Sequence, residues 1–184
     1  MLGKTGSLNP LNVPDENHSS PVMVYTAHYL IWGDLILKAA LRVSTYLRTN
    51  VAPEAITLYN ARTLLTTSGT SKPVAYPELS LATSQILAYH LVPPNRDPID
   101  YDPTEPNRKM EPIYAIVGPF RIEGSLRLAA KSDLAKYLDL THEQFTAVYD
   151  AEITHPLMPQ LGGLQVPYLL VRQQTAMFCT HPTA

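Results

Sequence analysis

Cysteine is nearly absent from this chain, since Cys179 is the only one among 184 residues. A single thiol excludes a disulfide within the chain, so the sequence does not call for an oxidising compartment. The first ten residues also contain no apolar run of the kind that a signal peptide has. We therefore expect a cytoplasmic protein.

Charge is also scarce. Charged residues make up 16% of the chain, and 14 basic and 16 acidic residues leave a net charge of −2. Proteins that bind a phosphate backbone usually carry a basic surface, so this composition argues against nucleic acid as a partner. The most apolar stretch, residues 24–43, is interrupted by Asp34, Lys38 and Arg42 and alternates like a strand, so no membrane insertion is expected.

Recognisable catalytic motifs are missing. The chain contains neither G-x-S-x-G nor H-E-x-x-H. Residues 3–6 (Gly-Lys-Thr-Gly) resemble the end of a phosphate-binding loop but lack its first glycine and the preceding strand. Ser125 follows Gly124 within a predicted strand, which is an unfavourable place for a nucleophile. We predict no catalytic residue and no enzymatic activity.

Two groups of residues invite the hypothesis of a metal site. The acidic residues between 97 and 105 are spaced loosely like a calcium loop, but the loop glycine and the terminal glutamate are missing, which favours a solvated linker. His155, Cys179 and His181 would approach one another if the third and last strands of the second half paired. A structural zinc site needs four ligands with clustered spacing. No metal, cofactor or cofactor-binding residue is predicted.

The sequence does contain an internal repeat. Residues 29–47 match residues 120–138 at a constant offset of 91, with seven identities in nineteen positions; chance would give about one or two. Such a match predicts a duplication. The pairs with structural roles are Gly33/Gly124, Tyr46/Tyr137 and, at an offset of 90, Tyr59/Tyr149.

The duplication predicts four segments: a polar N-terminal tail (1–21), unit one (22–91), a proline-rich acidic linker (92–113) and unit two (114–184). In each unit, two segments with period-two alternation precede a short helical spacing and further strand segments, which gives the order β-β-α-β-β. The first strands are expected near residues 23–27 and 114–117. A glycine in the middle of each second strand indicates a bulge, a bend or a close backbone approach. The predicted fold class is mainly β (α+β), with two small barrel-like sheets related by pseudo-twofold symmetry.

The repeated pattern supports a resemblance. An apolar residue two before the glycine and a leucine two after it, a short L-x-x-Y-L helix and a third strand with tyrosine and alanine resemble a small duplicated domain of unknown function found in uncharacterised bacterial proteins. Apart from the inserted helix, each unit also resembles a small SH3-like or Sm-like barrel. The resemblance implies a fold and brings no activity with it.

Core positions follow from the same periods, and one position departs from the repeat. Trp32 is matched by Glu123, and alternation places both on the face opposite the glycines. We therefore predict that Trp32 faces outward and contacts another subunit, the tail or the linker. The residues predicted to be buried are Ile31, Leu35, Val43, Leu47, Ile122, Leu126, Leu134 and Leu138.

These observations favour a non-enzymatic structural or adaptor protein that is a subunit of a homo-oligomer or larger assembly. Its expected partner is a protein, either a second copy or another subunit. The alternative is a regulatory module that uses a small-barrel groove to bind a ligand or nucleic acid. The sequence neither favours nor excludes a small-molecule ligand.

Overall fold

The computed structural model describes residues 13–48, 52–68, 72–98, 100–141 and 143–180, and in these residues the chain is mainly β, with ten strands and two α-helices. In chain order the elements are β1 (Asn17–Tyr25), β2 (Tyr29–Lys38), α1 (Val43–Tyr46), β3 (Ala55–Leu65), β4 (Val74–Ala82), β5 (Ala88–Leu91), β6 (Arg108–Val117), β7 (Phe120–Ala129), α2 (Leu134–Leu140), β8 (Phe145–Thr154), β9 (Leu164–Arg172) and β10 (Ala176–Thr180). One-turn 3₁₀ helices lie at Thr83–Gln85, Pro159–Leu161 and Gln173–Thr175.

All ten strands belong to one open sheet, in the order β10-β6-β7-β8-β9-β5-β1-β2-β3-β4. Every neighbouring pair is antiparallel. The two halves of the chain are joined where β5 pairs with β9, through Ala88↔Val171 and Tyr89↔Leu170. Among the strands of the described residues, β4 and β10 are the outermost, and each has a strand neighbour on one side only.

This arrangement corrects three details of the sequence prediction. The two small sheets are joined into one, and each half has five strands where the predicted unit order had four. The first strands are also longer, because β1 begins at Asn17 and β6 at Arg108. Their early residues are polar, but they pair along the whole of β2 and β7, so hairpin register and not apolar periodicity sets their length. The last residues of the predicted tail and linker are therefore strand, whereas residues 1–12 lie outside the described part of the chain.

Two core clusters lie on opposite faces of the central strands. The strands β1, β2, β5, β8 and β9 contribute alternate residues to one cluster and then the other. In β5, for example, Ala88 belongs to the cluster of the second half and Tyr89 to that of the first. Because successive side chains of a strand point to opposite faces, the central strands are covered on both sides. The two halves thus share the middle of the sheet.

Seven of the eight predicted core residues are buried, and Leu138 is half-buried against the second-half cluster. Helix α2 begins after Asp133, whose carboxylate accepts a hydrogen bond from Lys136 N (2.8 Å), as expected of an N-cap. The paired tyrosines are half-buried. They are Tyr46 and Tyr137 on the helices, and Tyr59 and Tyr149 on β3 and β8.

The two mid-strand glycines lie at interruptions of the strand register. Gly33 lies between Trp32 and Asp34, where the pairing of β2 with β3 shifts by one residue. A Cβ at this position would be 2.8 Å from Tyr59 O, and one at Gly124 would be 2.9 Å from Tyr149 O. Both distances are shorter than a carbon–oxygen contact allows, so glycine is needed for the close approach of the facing strand. The extra residue on that strand is in the left-handed conformation in both halves, Asn60 in β3 and Asp150 in β8 (φ 49° each).

Candidate functional site

The outer edges of the sheet carry exposed apolar side chains. On β4, Val74 is 51% and Tyr76 is 40% exposed. On β10, Met177 is 61% exposed, and its cross-strand partner Ile116 on β6 is 38% exposed. An edge strand offers unpaired backbone donors and acceptors to another strand, and apolar residues beside it add contact area. These two edges are therefore candidate interaction surfaces.

At the joint between β5 and β9, the outer strand of one half of the chain pairs with the outer strand of the other half. Arg172, at the end of β9, is buried, and its Nε donates to Ile86 O (2.7 Å) while Nη2 donates to Thr83 O. Its guanidinium lies 4.5 Å from the centroid of the Phe145 ring. Arg172 N donates to Leu87 O (2.7 Å), which continues the strand pairing. One arginine thus binds two carbonyls of the other half, and the joint has a polar clamp beside its strand pairing.

Trp32 does not have the exposed position that the sequence predicted. Alternation does place it opposite Ile31, but it is half-buried and packs against the core cluster of the second half. Leu30, Leu64 and Leu87 pack against the same cluster. The face of the first half that carries Trp32 is covered by the second half, whereas Glu123, on the corresponding face of β7, is exposed. The difference between Trp and Glu therefore follows from a contact within one chain.

The acidic linker is bound to the body of the protein. Asp100 accepts hydrogen bonds from Tyr149 (2.8 Å), Tyr168 (2.9 Å) and Arg48 (2.9 Å). Arg48 also pairs with Glu143 (2.7 Å). Burial alone would raise the pKa of Asp100, but these hydrogen bonds outweigh it and lower the pKa below its usual value. Because Arg48 belongs to the first half and both tyrosines to the second, the carboxylate ties the linker to both halves.

The other linker acids also have protein partners. Asp97 accepts a hydrogen bond from Ser44 N (2.8 Å), Asp102 from Thr104 N (2.8 Å), and Glu105 pairs with Arg127 (2.6 Å). These contacts anchor a segment for which the sequence predicted a solvated surface. The carboxylates bind backbone amides, a hydroxyl group and arginines of their own chain, which leaves no converging set of oxygens for a cation.

Beside the linker lies an open cleft with a volume of about 360 Å³. Three tyrosine rings form much of its wall, with Tyr101 and Tyr149 5.1 Å and Tyr149 and Tyr168 5.4 Å apart between ring centroids. Arg96 adds one positive charge, and Asp97 and Asp150 add two negative charges. Aromatic rings with a few polar groups are typical of small-molecule sites, so this cleft is a second candidate site.

A narrower cavity with a volume of about 20 Å³ adjoins the cleft and is lined by Tyr89 and His90. Within the described part of the chain, the buried Tyr89 hydroxyl has no hydrogen-bond partner. A cavity of this size holds one water molecule, which would satisfy it. His90 is buried between Tyr25 Oη, 2.9 Å from Nε2, and Leu91 O, 2.6 Å from Nδ1. A neutral ring with Nδ1 protonated matches this donor and acceptor pair.

Burial lowers the pKa of His90 to about 4, although the Leu91 carbonyl acts in the opposite direction. In the unfolded chain the imidazole has its ordinary pKa of about 6.5. Below pH 6.5 the unfolded state therefore binds a proton that the folded state does not, so stability is lost as the pH falls from about 6.5 to about 4. We expect the free energy of unfolding to drop by about 2 kcal/mol between pH 7 and pH 5, measured by urea unfolding.

The variant His90→Gln should remove most of this pH dependence, because glutamine can hydrogen-bond but does not titrate in this range. His155, whose pKa is also lowered by burial, accounts for the remainder. The exposed His28 provides the matched control, and His28→Gln should keep the wild-type slope. An unchanged slope in His90→Gln would show that another group carries the effect.

The proposed approach of His155, Cys179 and His181 fails for its first two members. The strand β10 pairs with β6 and not with β8. The strands β6 and β7 therefore lie between Cys179 on β10 and the end of β8, which His155 follows. His155 is buried against Phe120, and its Nδ1 accepts a hydrogen bond from Leu157 N (3.1 Å), whereas Cys179 is exposed. Across the described ranges there is no group of three possible metal ligands. His181 and the loop at 3–6 lie outside these ranges.

Comparison with protein-family models, with curated proteins and with solved structures finds no match. The resemblance to a duplicated bacterial domain and to SH3-like or Sm-like barrels therefore stays a prediction. Among the helices of the described residues, none is long and apolar enough to cross a membrane.

Sequence reasoning missed the residues that hold the halves together. Arg172 has Ala82 at the corresponding position of the first half, so nothing in the repeat marked it out. Asp100 was one acid among several in a linker. His90 is an isolated histidine in a short apolar segment, where burial was the only available signal. The exposed Met177 lies in the last strand, which the repeat did not align.

Proposed function

We propose that the chain is an internally duplicated, non-enzymatic structural protein that assembles through the open edges of its sheet. The duplication is supported by the strand order, which repeats as β10-β6-β7-β8-β9 and β5-β1-β2-β3-β4. It is further supported by the register shifts at Gly33 and Gly124 and by a proline at the same place in β4 and β9, Pro77 and Pro167. Each half contributes most residues of one core cluster and has one inserted helix, and it is this half whose sequence resembles a small barrel.

The repeat also suggests how the halves are related. The order of equivalent strands runs in the same direction in both halves, and equivalent strands are five positions apart. In an antiparallel sheet an odd shift reverses the strand direction and exchanges the faces, which agrees with core clusters on opposite faces. Apart from the twist of the sheet, the pseudo-twofold rotation is thus combined with a translation across five strands. Such a relation leaves both ends of the sheet open.

The observation that carries the assembly hypothesis is the exposed apolar surface at both ends of the sheet, on β4 and on β6–β10. Stable monomers usually protect a sheet edge with charges, bulges or a covering segment. Here β4 and β10 carry no lysine or arginine, and apart from Pro77 and Glu78 on β4 their residues are apolar or small polar. A protein with few charges and two such edges is suited to strand-to-strand association.

Light scattering coupled to size exclusion tests this proposal directly. The wild-type protein should show a mass above that of one 20.4 kDa chain, rising with concentration. The matched variant is Met177→Glu, which places a charge on an exposed position and should return the mass to one chain without altering the far-UV circular dichroism. A wild type that stays at 20.4 kDa up to the solubility limit would contradict the proposal.

The tyrosine cleft supports a second candidate function, a ligand-binding regulatory module. Its wall of three tyrosines with Arg96, Asp97 and Asp150 would suit a small planar or sugar-like molecule with polar edges. A screen of such compounds by ligand-observed NMR, with Tyr101→Ala as the control for the cleft, distinguishes this function. Binding to a wild-type monomer that Tyr101→Ala abolishes would favour it over assembly.

A further inference from the structure

We infer that the partner of β10 is strand β4 of a second copy of this chain, held in the register that β5 and β9 use within the chain. This inference rests on the proposed function and adds the identity of the partner strand, the polarity of the contact and its register. It concerns an interaction between unlike edges, β10 of one copy and β4 of the next, and not between two equal edges.

The internal joint provides the template. By the repeated strand order, β10 takes the place of β5, and β4 takes the place of β9. β5 and β9 pair directly, so the same pairing is expected between their counterparts, β10 and β4. Because β10 is the counterpart of β5 and β4 is the counterpart of β9, β10 of one copy pairs with β4 of the next. This pairing leaves β4 of the first copy and β10 of the second copy free. A contact of this kind continues into an open chain or a ring instead of stopping at a symmetric dimer.

Exposure at the β10 edge agrees with a missing partner. The cross-strand pair Ile116–Met177 corresponds to the pair Tyr25–Ala88. Tyr25 and Ala88 are 1% and 2% exposed because the second half covers them, whereas Ile116 and Met177 are among the exposed large apolar residues. The same surface is thus covered inside the chain and uncovered at its end.

Exposure at the β4 edge follows the same rule. Ser80 corresponds to Leu170 of β9, and Leu170 is 1% exposed at the internal joint while Ser80 is exposed. The proline shared by β4 and β9 does not prevent the pairing, since β9 pairs with β5 through residues that follow Pro167. The corresponding part of β4 begins after Pro77 and comprises residues 79–82. Only this short segment is expected to pair.

Two differences make the contact between copies weaker than the internal joint. The position of Arg172 is occupied in β4 by Ala82, so the arginine clamp is missing. The face that carries Leu30 and Trp32 in the first half carries Arg121 and Glu123 in the second half, and both are exposed. The expected contact is therefore confined to the strand edges and is reversible on dilution.

The register follows from the internal pairs. Ala88↔Val171 and Tyr89↔Leu170 correspond to Met177↔Leu81 and Phe178↔Ser80. One step further, Cys179 of one copy faces Leu79 of the next. Arg172 N donates to Leu87 O at the start of the internal joint, and the alternation from there makes Cys179 and Leu79 a pair without mutual backbone hydrogen bonds. The Cα atoms of such pairs are about 4.5 Å apart, which is within the range of a disulfide.

The variant Leu79→Cys tests the register with the natural thiol as its partner. Under mild oxidation we expect a ladder of dimers, trimers and larger species on a non-reducing gel, which reduction returns to single chains. Tyr76→Cys, on the same strand but three positions away, should give no ladder, and Leu79→Cys combined with Cys179→Ser should give none either. Circular dichroism checks that Leu79→Cys is folded.

Other outcomes overturn the inference. A disulfide formed within one chain, seen as a faster-migrating monomer, would show that the sheet closes on itself. A wild-type dimer linked through two copies of Cys179 would show that equal edges meet. If light scattering finds oligomers but folded Leu79→Cys gives no ladder, this register is wrong while assembly stands. The same conclusion follows if Leu79→Cys is unfolded and Met177→Glu keeps the wild-type oligomer. A monomeric wild type would instead contradict the proposed function itself.

Discussion

Replacing Leu126 with alanine is expected to lower the free energy of unfolding by about 3 kcal/mol. Leu126 lies in the middle of β7, is 0% exposed and belongs to the core cluster of the second half. Truncation removes buried apolar surface and leaves a cavity, and neighbours on β6 and β8 cannot close it because the sheet pairing holds their backbones in place. Chemical unfolding followed by circular dichroism measures the loss.

The matched control is Leu140→Ala, because Leu140 at the end of α2 is exposed. That variant should change the stability by less than about 0.5 kcal/mol. If Leu126→Ala and Leu140→Ala unfold at the same denaturant concentration, the inward face of β7 has been assigned wrongly.

Replacing Arg172 with methionine is expected to cost about 3 kcal/mol as well, for a different reason. Methionine keeps the apolar stem but removes the donors to Ile86 O and Thr83 O, two buried carbonyls at the joint between the halves. An unsatisfied buried carbonyl costs about 1–3 kcal/mol, and the contact with the Phe145 ring is weakened too. Chemical unfolding gives the magnitude, and hydrogen exchange in β5 shows where the structure loosens.

Arg121→Met serves as the control, since Arg121 is exposed on β7. It should have little effect on stability, and amide exchange in β5 should not change. Arg172→Lys should lie between Arg172→Met and the wild type, because an ammonium group cannot form both hydrogen bonds with the fork geometry of a guanidinium. A stability of Arg172→Met equal to that of Arg121→Met would show that strand pairing alone joins the halves.

The parts of the fold that depend on local sequence could be predicted. Alternation in β2 and β7 placed Ile31 and Leu126 inside, and helical spacing together with a capping aspartate placed α2. Both signals depend on residues close together in the chain. The lengths of β1 and β6 could not be obtained in this way, because backbone pairing with the next strand extends them through polar residues.

The connection between the halves could not be predicted, because it depends on residues far apart in the chain. β5 is only four residues long, and its pairing with β9 joins positions more than 80 residues apart. The role of Trp32 was misjudged for the same reason. Its side chain lies on the predicted face, and the second half of the same chain packs against that face. An alternation pattern indicates which side of a strand is apolar and does not indicate what covers it.

The claim that function resides at the two open edges is tested most directly by hydrogen exchange at several protein concentrations. Over a roughly hundredfold range of concentration, amides of β4 after Pro77 and of β10 should exchange more slowly as the protein is concentrated, because association pairs their free backbone groups. Amides in β7, which is paired on both sides within the chain, should not respond. Exchange in β4 and β10 that is independent of concentration would contradict the account.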